Sequence, residues 1–312
     1  MLPPFLTYDE QIDKLIKQKK LIIIDRELAL NTLKNIGYFP VIGGYKTPFI
    51  NPMTRVYEND TEFSDILYLY NFDQDLRNIF FKTLCMLELR MRQVISYCFC
   101  KKHGEDQKEY LNPHNFDCST KYKSKNVLKL INIFSYLAEK NNEHQYIVHQ
   151  RKIHKNVPLW VLMKALTFGQ TSRMYSLSKF EMKKDICKEF INVSETAIET
   201  YLERLCLIRN TCAHNERLYC FHFDKDFPDT KLHERLRIHK KGEQYIYGKN
   251  DLFAAVIALR YLLPKENFII FKKELTQCIE KYLSKSNRMN RNKLYKYMGF
   301  PKNWTDITKY KI

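Results

Sequence analysis

The segment Arg209–Arg217 reads Arg-Asn-Thr-Cys-Ala-His-Asn-Glu-Arg and holds residue types that can cleave RNA. Cleavage without a metal needs a base for the 2′-hydroxyl proton, an acid for the leaving oxygen, and cations beside the phosphate. Histidine transfers protons near neutral pH, and arginine presents a planar charged fork to phosphate oxygens. We therefore predict Arg209, Asn210 and His214 as catalytic residues, with Asn210 orienting the imidazole or holding the phosphate.

The spacing of these residues creates a geometric problem. On an ideal helix, Asn210 and His214 lie about 40° apart and Arg217 continues that line, whereas Arg209 lies about 140° from His214. The Arg209 side chain must curl over, or the helix must loosen. A single histidine also cannot readily act as both acid and base, a difficulty that two copies meeting across a dimer would remove. The alternative for this segment is ordinary capping of a helix C-terminus by cations.

Two predicted helices must position the segment. Residues 194–214 form one, with an inner face of Ile198, Tyr201, Leu202, Leu205 and Ile208. The other runs from about 62 to 99, with a buried stripe of Phe72, Leu76, Ile79, Phe80, Thr83, Leu84, Leu87, Met91, Val94, Ile95 and Cys98. Arg90 falls on that stripe and needs a partner there. Glu88 either lies beside the catalytic segment or forms an exposed pair with Arg92. We count Glu88, Arg90 and Arg217 as supporting residues.

The chain as a whole has the pattern of an all-α protein, because only eight glycines and ten prolines interrupt long stretches of helical periodicity. We predict an N-terminal helical accessory module over residues 1–60, a helical core over 61–263 and a basic helical C-terminal extension over 264–312. Within the core, helices are expected at 123–140, 159–176 and 179–191, and 219–223 could form a short strand. Trp160 is expected to anchor the core, the alternative being a platform on which an RNA base stacks.

Charge and composition bear on partners and location. The 312 residues carry a net charge of +17, of which 264–312 contribute +8. Such a surplus favours a polyanion partner, although a lysine-rich proteome would also produce it. Nine cysteines without a Cys-x-x-Cys pair indicate neither a zinc site nor a disulfide framework. We expect no structural metal, no cofactor, no membrane span and no secretory signal, and hence a cytoplasmic protein.

Three basic segments are candidates for RNA contact, because cations can follow a backbone while tyrosines stack on bases. Their residues are Lys121, Tyr122, Lys123 and Lys125 in the first, Arg151 and Lys152 in the second, and Arg288, Arg291, Lys293 and Lys296 in the third. The alternative for each segment is a solvated helix face.

Several motifs, in order along most of the chain, carry a resemblance to a known family. They are Thr7–Gln11 followed by Ile24–Asp25 and Ile36–Phe39, Tyr70–Asp73 with Leu76–Arg77 and then Glu88–Arg90, Val157–Trp160 with Thr167–Arg173, the segment Arg209–Leu218, and Met298–Trp304. Together they resemble the AbiD/AbiF-like abortive-infection proteins, a branch of the HEPN superfamily. Thr167 departs from the family's usual serine.

The resemblance implies a HEPN-type helical bundle that dimerises, so that two Arg-x4-His motifs form one composite site for metal-independent RNA cleavage. It also implies an anti-phage, toxin-like role and a small structured noncoding RNA as a partner, besides the target RNA. A non-catalytic RNA-binding protein of the same system is the alternative. Sequence-specific DNA binding by the N-terminal helices is weaker, because they hold no evident recognition helix.

Overall fold

The computed structural model describes residues 4–312, which fold almost entirely into helices. The longer helices are α3 (Phe63–His103), α5 (Lys121–Ser135), α10 (Glu195–Ala213), α12 (Leu252–Leu262) and α13 (Lys265–Leu283). The shorter helices are α1 (Tyr8–Lys17), α2 (Arg26–Asn35), α4 (Gln107–Leu111), α6 (Gln145–His149), α7 (Leu159–Leu162), α8 (Phe168–Ser176), α9 (Phe180–Cys187), α11 (Lys231–Arg235) and α14 (Arg291–Met298). A two-stranded antiparallel hairpin, β1 (Lys240–Lys241) and β2 (Gln244–Tyr245), is the only sheet in this part of the chain. The all-α prediction is confirmed.

Helix α3 is the central element of the core. It begins where Glu62 and Asp65 cap each other's backbone, and it ends at Gly104, whose φ of 87° suits glycine. Most of the predicted apolar stripe is buried, and only Ile79 and Val94 remain half-exposed. Helices α7, α8, α9, α10 and α13 pack against it. None of the helices in residues 4–312 is long and apolar enough to cross a bilayer.

Helix α10 begins and ends close to the predicted residues. The Ser194 hydroxyl accepts a hydrogen bond from the Ala197 amide at 3.2 Å, which caps the N-terminus. The five predicted inward residues are all buried, at 2% exposure or less. The helix ends at Ala213, because His214 leaves helical geometry and Asn215 has a left-handed φ of 55°. The fold thus places the Arg209–Arg217 segment at the C-terminal end of α10, which packs on α3 and α8.

Three local predictions were wrong. The predicted helix over 159–176 is interrupted, because Leu166 adopts an extended conformation between a 3-10 turn and the Thr167 cap of α8. Residues 219–223 form no regular strand, because the chain turns at Tyr219 and Cys220 and only His222 forms an isolated antiparallel bridge, with Asp251. Trp160 is 48% exposed and does not anchor the core. Trp304 lies in the core instead and has no exposed surface. Its indole Nε1 donates to the Tyr295 hydroxyl at 3.0 Å, so the buried polar atom is satisfied.

Gly299, directly after α14, allows us to predict a stability effect. Its φ is +72°, and a Cβ atom there would lie 2.2 Å from Cγ of Asp251. Asp251 caps α12 by accepting from the Ala254 amide at 3.0 Å. Gly299→Ala should therefore add left-handed strain and displace a helix cap, which together cost about 2–3 kcal/mol of unfolding free energy in urea titrations.

Gly242→Ala is the matched control for this substitution. Gly242 also has a positive φ, +63°, but a Cβ atom there would meet nothing within 4 Å. The loss of unfolding free energy in Gly242→Ala should therefore be close to the cost of the left-handed backbone alone, about 1 kcal/mol. Equal losses for the two variants would show that the contact with Asp251 contributes nothing.

Candidate functional site

His214 lies at the point where helix α10 stops. Its amide still donates to the Asn210 carbonyl at 2.9 Å, but its ψ of 9° turns the chain out of the helix. The helix therefore loosens at His214, as the sequence allowed, but this does not bring His214 to Arg209, which contacts Phe81 and Glu88 instead. The side chains of Asn210 and His214 are both exposed. His214 can therefore reach a ligand in solution.

His214 faces an open cleft of about 790 Å³. One wall is the N-terminal segment 35–45, the floor includes Tyr70 and Gln74 of α3, and the other wall is the loop 214–222. Arg217 joins the walls, because its Nη1 donates to the Gly44 carbonyl at 3.0 Å. Arg217 thus supports the loop that carries His214. A second histidine, His222, lines the same cleft and was missed by the sequence reasoning.

A buried carboxylate holds the loop after His214 in place. Asp73 of α3, with no exposed surface, accepts hydrogen bonds from the Leu218 amide at 3.0 Å and the Tyr219 amide at 2.6 Å. The hydroxyl of Tyr45 also donates to it, at 2.7 Å. Arg77, one turn along α3, forms an ion pair with it at 2.8 Å. Asp73 thus connects the N-terminal segment, α3 and the loop in one network.

The charges in this network are balanced by neighbouring groups. Burial raises the pKa of the Asp73 carboxyl, and Arg77 and the surrounding donors oppose that effect. Burial also raises the pKa of Tyr45, so its hydroxyl keeps the proton that it donates to Asp73. Arg77 has a further acceptor in the Glu216 carbonyl, at 3.3 Å. Sequence reasoning assigned no such role to Asp73 and Arg77, although both lie in the motifs that carry the family resemblance and stand four residues apart on α3.

Arg209 occupies a different surface from His214. Its guanidinium carbon lies 5.6 Å from the centre of the Phe81 ring, and its Nε is 4.0 Å from a carboxylate oxygen of Glu88. The Nε atom is buried and has no hydrogen-bond partner among the described residues. The Arg209 side chain remains 32% exposed. Within residues 4–312 no hydrogen bond joins Arg209 to His214, and Arg209 does not line the His214 cleft.

Glu88 lies between two arginines. Its carboxylate pairs with Arg92 at 2.5 Å and faces Arg209, and only 5% of the residue is exposed. Both interpretations of Glu88 are therefore partly right, because the pair with Arg92 exists but is buried beside Arg209. Arg92 also donates to the Leu166 carbonyl, which links α3 to the extended residue before α8.

Arg90 lies away from both surfaces. It is half-buried instead of buried, and it donates to the carbonyls of Glu189 at 2.9 Å and Leu262 at 3.2 Å. Its guanidinium carbon also lies 4.7 Å from the centre of the Phe190 ring. Arg90 therefore joins α3 to the ends of two other elements.

A family model described as Abi-like protein matches residues 31–220 of the chain. The chain belongs to the Abi-like family. The match includes α3, α10, the Asp73 network and the catalytic candidates Arg209, Asn210 and His214, and the family's description indicates a function in abortive infection. Searches of curated proteins and of solved structures found no significant match.

Intramolecular contacts already occupy about half of the predicted RNA-contact residues in this Abi-like protein. Lys123 pairs with Asp117, Arg288 with Asp60 and Arg291 with Glu280, while Arg151 and Lys293 donate to backbone carbonyls. Lys121, Tyr122, Lys125, Lys152 and Lys296 are exposed and form no ion pair with any residue of 4–312. These five side chains remain available for a ligand. In the same range, no group of three or more His, Cys, Asp or Glu side chains is arranged to hold a metal ion.

Proposed function

We propose that this Abi-like protein is a HEPN endoribonuclease that cleaves RNA without a metal in an anti-phage, toxin-like abortive-infection system of the cytoplasm. The observation that carries the proposal is the Arg209–Arg217 segment at the end of α10, with an exposed imidazole at His214. His214 would transfer the proton, because imidazole gains and loses a proton near neutral pH. Arg209 would offset charge on the phosphorane, and Asn210 would orient the imidazole or hold the phosphate.

A homodimer would supply what one chain lacks. In one chain, the guanidinium of Arg209 rests on Phe81 while His214 faces the cleft, so a single phosphate would not meet both groups without rearrangement. The two helices that hold Arg209 and its neighbours also expose apolar side chains, Leu89 at 65% and Tyr97 at 56% on α3 and Leu207 at 49% on α10. Exposed apolar surface of this kind is what a protein interface can cover. A second copy on this surface would bring its own motif to the first.

The proposal is tested by incubating purified protein with RNA in excess EDTA and identifying the product ends. Attack by the 2′-hydroxyl leaves 2′,3′-cyclic phosphate and 5′-hydroxyl ends, and these are the expected products. Binding without cleavage would support the alternative, a non-catalytic RNA-binding protein of the same system. That alternative predicts an affinity for RNA that falls steeply as the salt concentration rises, and an RNA that stays intact.

The composite site predicts how mixed dimers behave. When wild-type and His214→Ala chains are co-expressed in equal amounts, half of the dimers contain His214 in only one of their two chains. If both imidazoles are required, total activity should fall to about a quarter of that of an all-wild-type preparation, because only wild-type dimers remain active. If each chain instead had its own independent site, about half of the all-wild-type activity would remain. A value near half would therefore contradict the shared site, and light scattering should confirm the dimer first.

The net charge of +17 supports a structured noncoding RNA as a resident partner. Sequencing the RNA that co-purifies with the protein from its native host would test this part of the proposal. A single stoichiometric species is expected. A broad mixture of cellular fragments would contradict a dedicated RNA partner.

A further inference from the structure

A second cavity lies at the C-terminal end of the fold, outside the residues that the family model matches. Its volume is about 640 Å³, and its walls come from residues 236–239, from Ile246 and Tyr247 directly after β2, from α14 and from the segment 300–303. Sites for small ligands commonly measure about 300–1,000 Å³. The cavity is therefore large enough for a nucleotide. Its lining begins beyond residue 220, where the family match ends.

The lining of this cavity is strongly basic. Arg237, His239, Lys296 and Lys302 all border it, and no carboxylate does. All four side chains are exposed, and none forms an ion pair with another part of residues 4–312. Arg288 and Arg291, which lie near or in α14, differ because they have acidic partners. Cations that line one cavity without carboxylates attract an anion.

The walls of the cavity are fixed by buried contacts. His233, with no exposed surface, is 3.0 Å through Nε2 from the Gly248 carbonyl, which holds α11 against the chain after β2. The Asn303 amide donates to the Leu236 carbonyl at 3.0 Å, so the two opposite walls are joined directly. Arg237 has a left-handed φ of 51°, a strained conformation that the surrounding contacts maintain. The cations therefore project from a scaffold that is already formed.

We propose that this cavity binds a nucleotide through its phosphate, with Arg237, Lys296 and Lys302 as the phosphate ligands. Arg237 can present a bidentate fork, while the two lysines act as point charges. The half-buried ring of Tyr247 offers a face for the base. The ligand is a free nucleotide or one unit of a single-stranded RNA. Either ligand supplies the same phosphate, and neither requires the nuclease activity.

The test measures binding of two probes to the full-length protein. One probe is a fluorescein-labelled 2′-O-methyl RNA decamer, which cannot be cleaved by attack of a 2′-hydroxyl, and the other is unlabelled ATP as competitor. The variant Arg237→Glu/Lys302→Glu should weaken binding about tenfold or more, because charge-assisted contacts to phosphate are lost. The dependence of log affinity on log salt should also become shallower by about 0.7 for each lost phosphate contact.

The matched control is Arg55→Glu/Lys273→Glu, which changes the net charge equally. Both control residues are exposed, and Arg55 shares the left-handed backbone of Arg237, with a φ of 59°. Binding by the control should stay within about twofold of wild type, since general charge effects are screened by salt. Competition by ATP would identify a free-nucleotide site, and binding of the decamer alone would identify an RNA site.

Equal losses in the two double variants, or unchanged binding in the cavity variant, would overturn the proposal. Because the decamer cannot be cleaved, the readout does not depend on whether His214 and Arg209 are catalytic. Circular dichroism melts of all variants should match wild type, because none of the substituted side chains is buried. If the cavity variant melts early, the milder Lys302→Ala replaces it and is expected to weaken binding as well.

Discussion

Replacing His214 with alanine is expected to slow RNA cleavage by about 10²–10⁴-fold, the usual contribution of a positioned general acid or base. The side chain is exposed at the end of α10 and makes no hydrogen bond to the rest of residues 4–312. Its removal should therefore leave the free energy of unfolding almost unchanged, within about 0.5 kcal/mol. A loss of activity without a loss of stability would separate a chemical role from a structural one.

The measurement is the single-turnover rate on a labelled RNA, compared with that of His154→Ala. His154 is also exposed, but it lies outside the cleft and the Arg209–Arg217 segment. The control should cleave at the wild-type rate. A His214→Ala protein that cleaves as fast as wild type would refute the proposed chemistry, and the segment would then be an ordinary helix end with basic residues.

The helices that present His214 could be predicted because their signals are local. Ser194 caps α10 and Thr7 caps α1 through side-chain hydroxyls directly before each helix, and apolar spacing identified the buried faces of α3 and α10. Such signals depend on residues within one or two turns of each other. The family match over residues 31–220 then agreed with the resemblance drawn from scattered motifs.

The arrangement around the helix end could not be predicted in the same way. Asp73 contacts Tyr45, Leu218 and Tyr219, which lie up to 146 positions from it in the sequence, and no periodicity encodes such contacts. The exposed Trp160 and the buried Trp304 show the same difficulty, because residue type alone does not decide which indole finds a hydrogen-bond partner inside. Likewise, the acidic partners of the basic segments lie up to 228 positions away, as in the pair of Arg288 and Asp60.

Asp73→Ala is expected to destabilise the protein by about 3–5 kcal/mol, the cost of leaving a buried partner charge uncompensated. Arg77 is 3% exposed and would lose its ion pair, and the amides of Leu218 and Tyr219 would lose their buried acceptor. Asp75→Ala is the matched control, two residues along the same helix. Asp75 pairs with Lys281 at 2.9 Å, but its side chain is 46% exposed, so the loss should stay below about 1 kcal/mol.

Urea unfolding gives both free energies, and the cleavage assay adds a second readout under conditions where Asp73→Ala remains folded. Because Asp73 holds the loop that follows His214, the variant should also cleave RNA more slowly than Asp75→Ala while folded. The two readouts separate the roles of the network. If Asp73→Ala loses stability but cleaves normally while folded, the network stabilises the core and does not position the site. If Asp73→Ala and Asp75→Ala are equally stable, Arg77 and the two amides find other partners without Asp73.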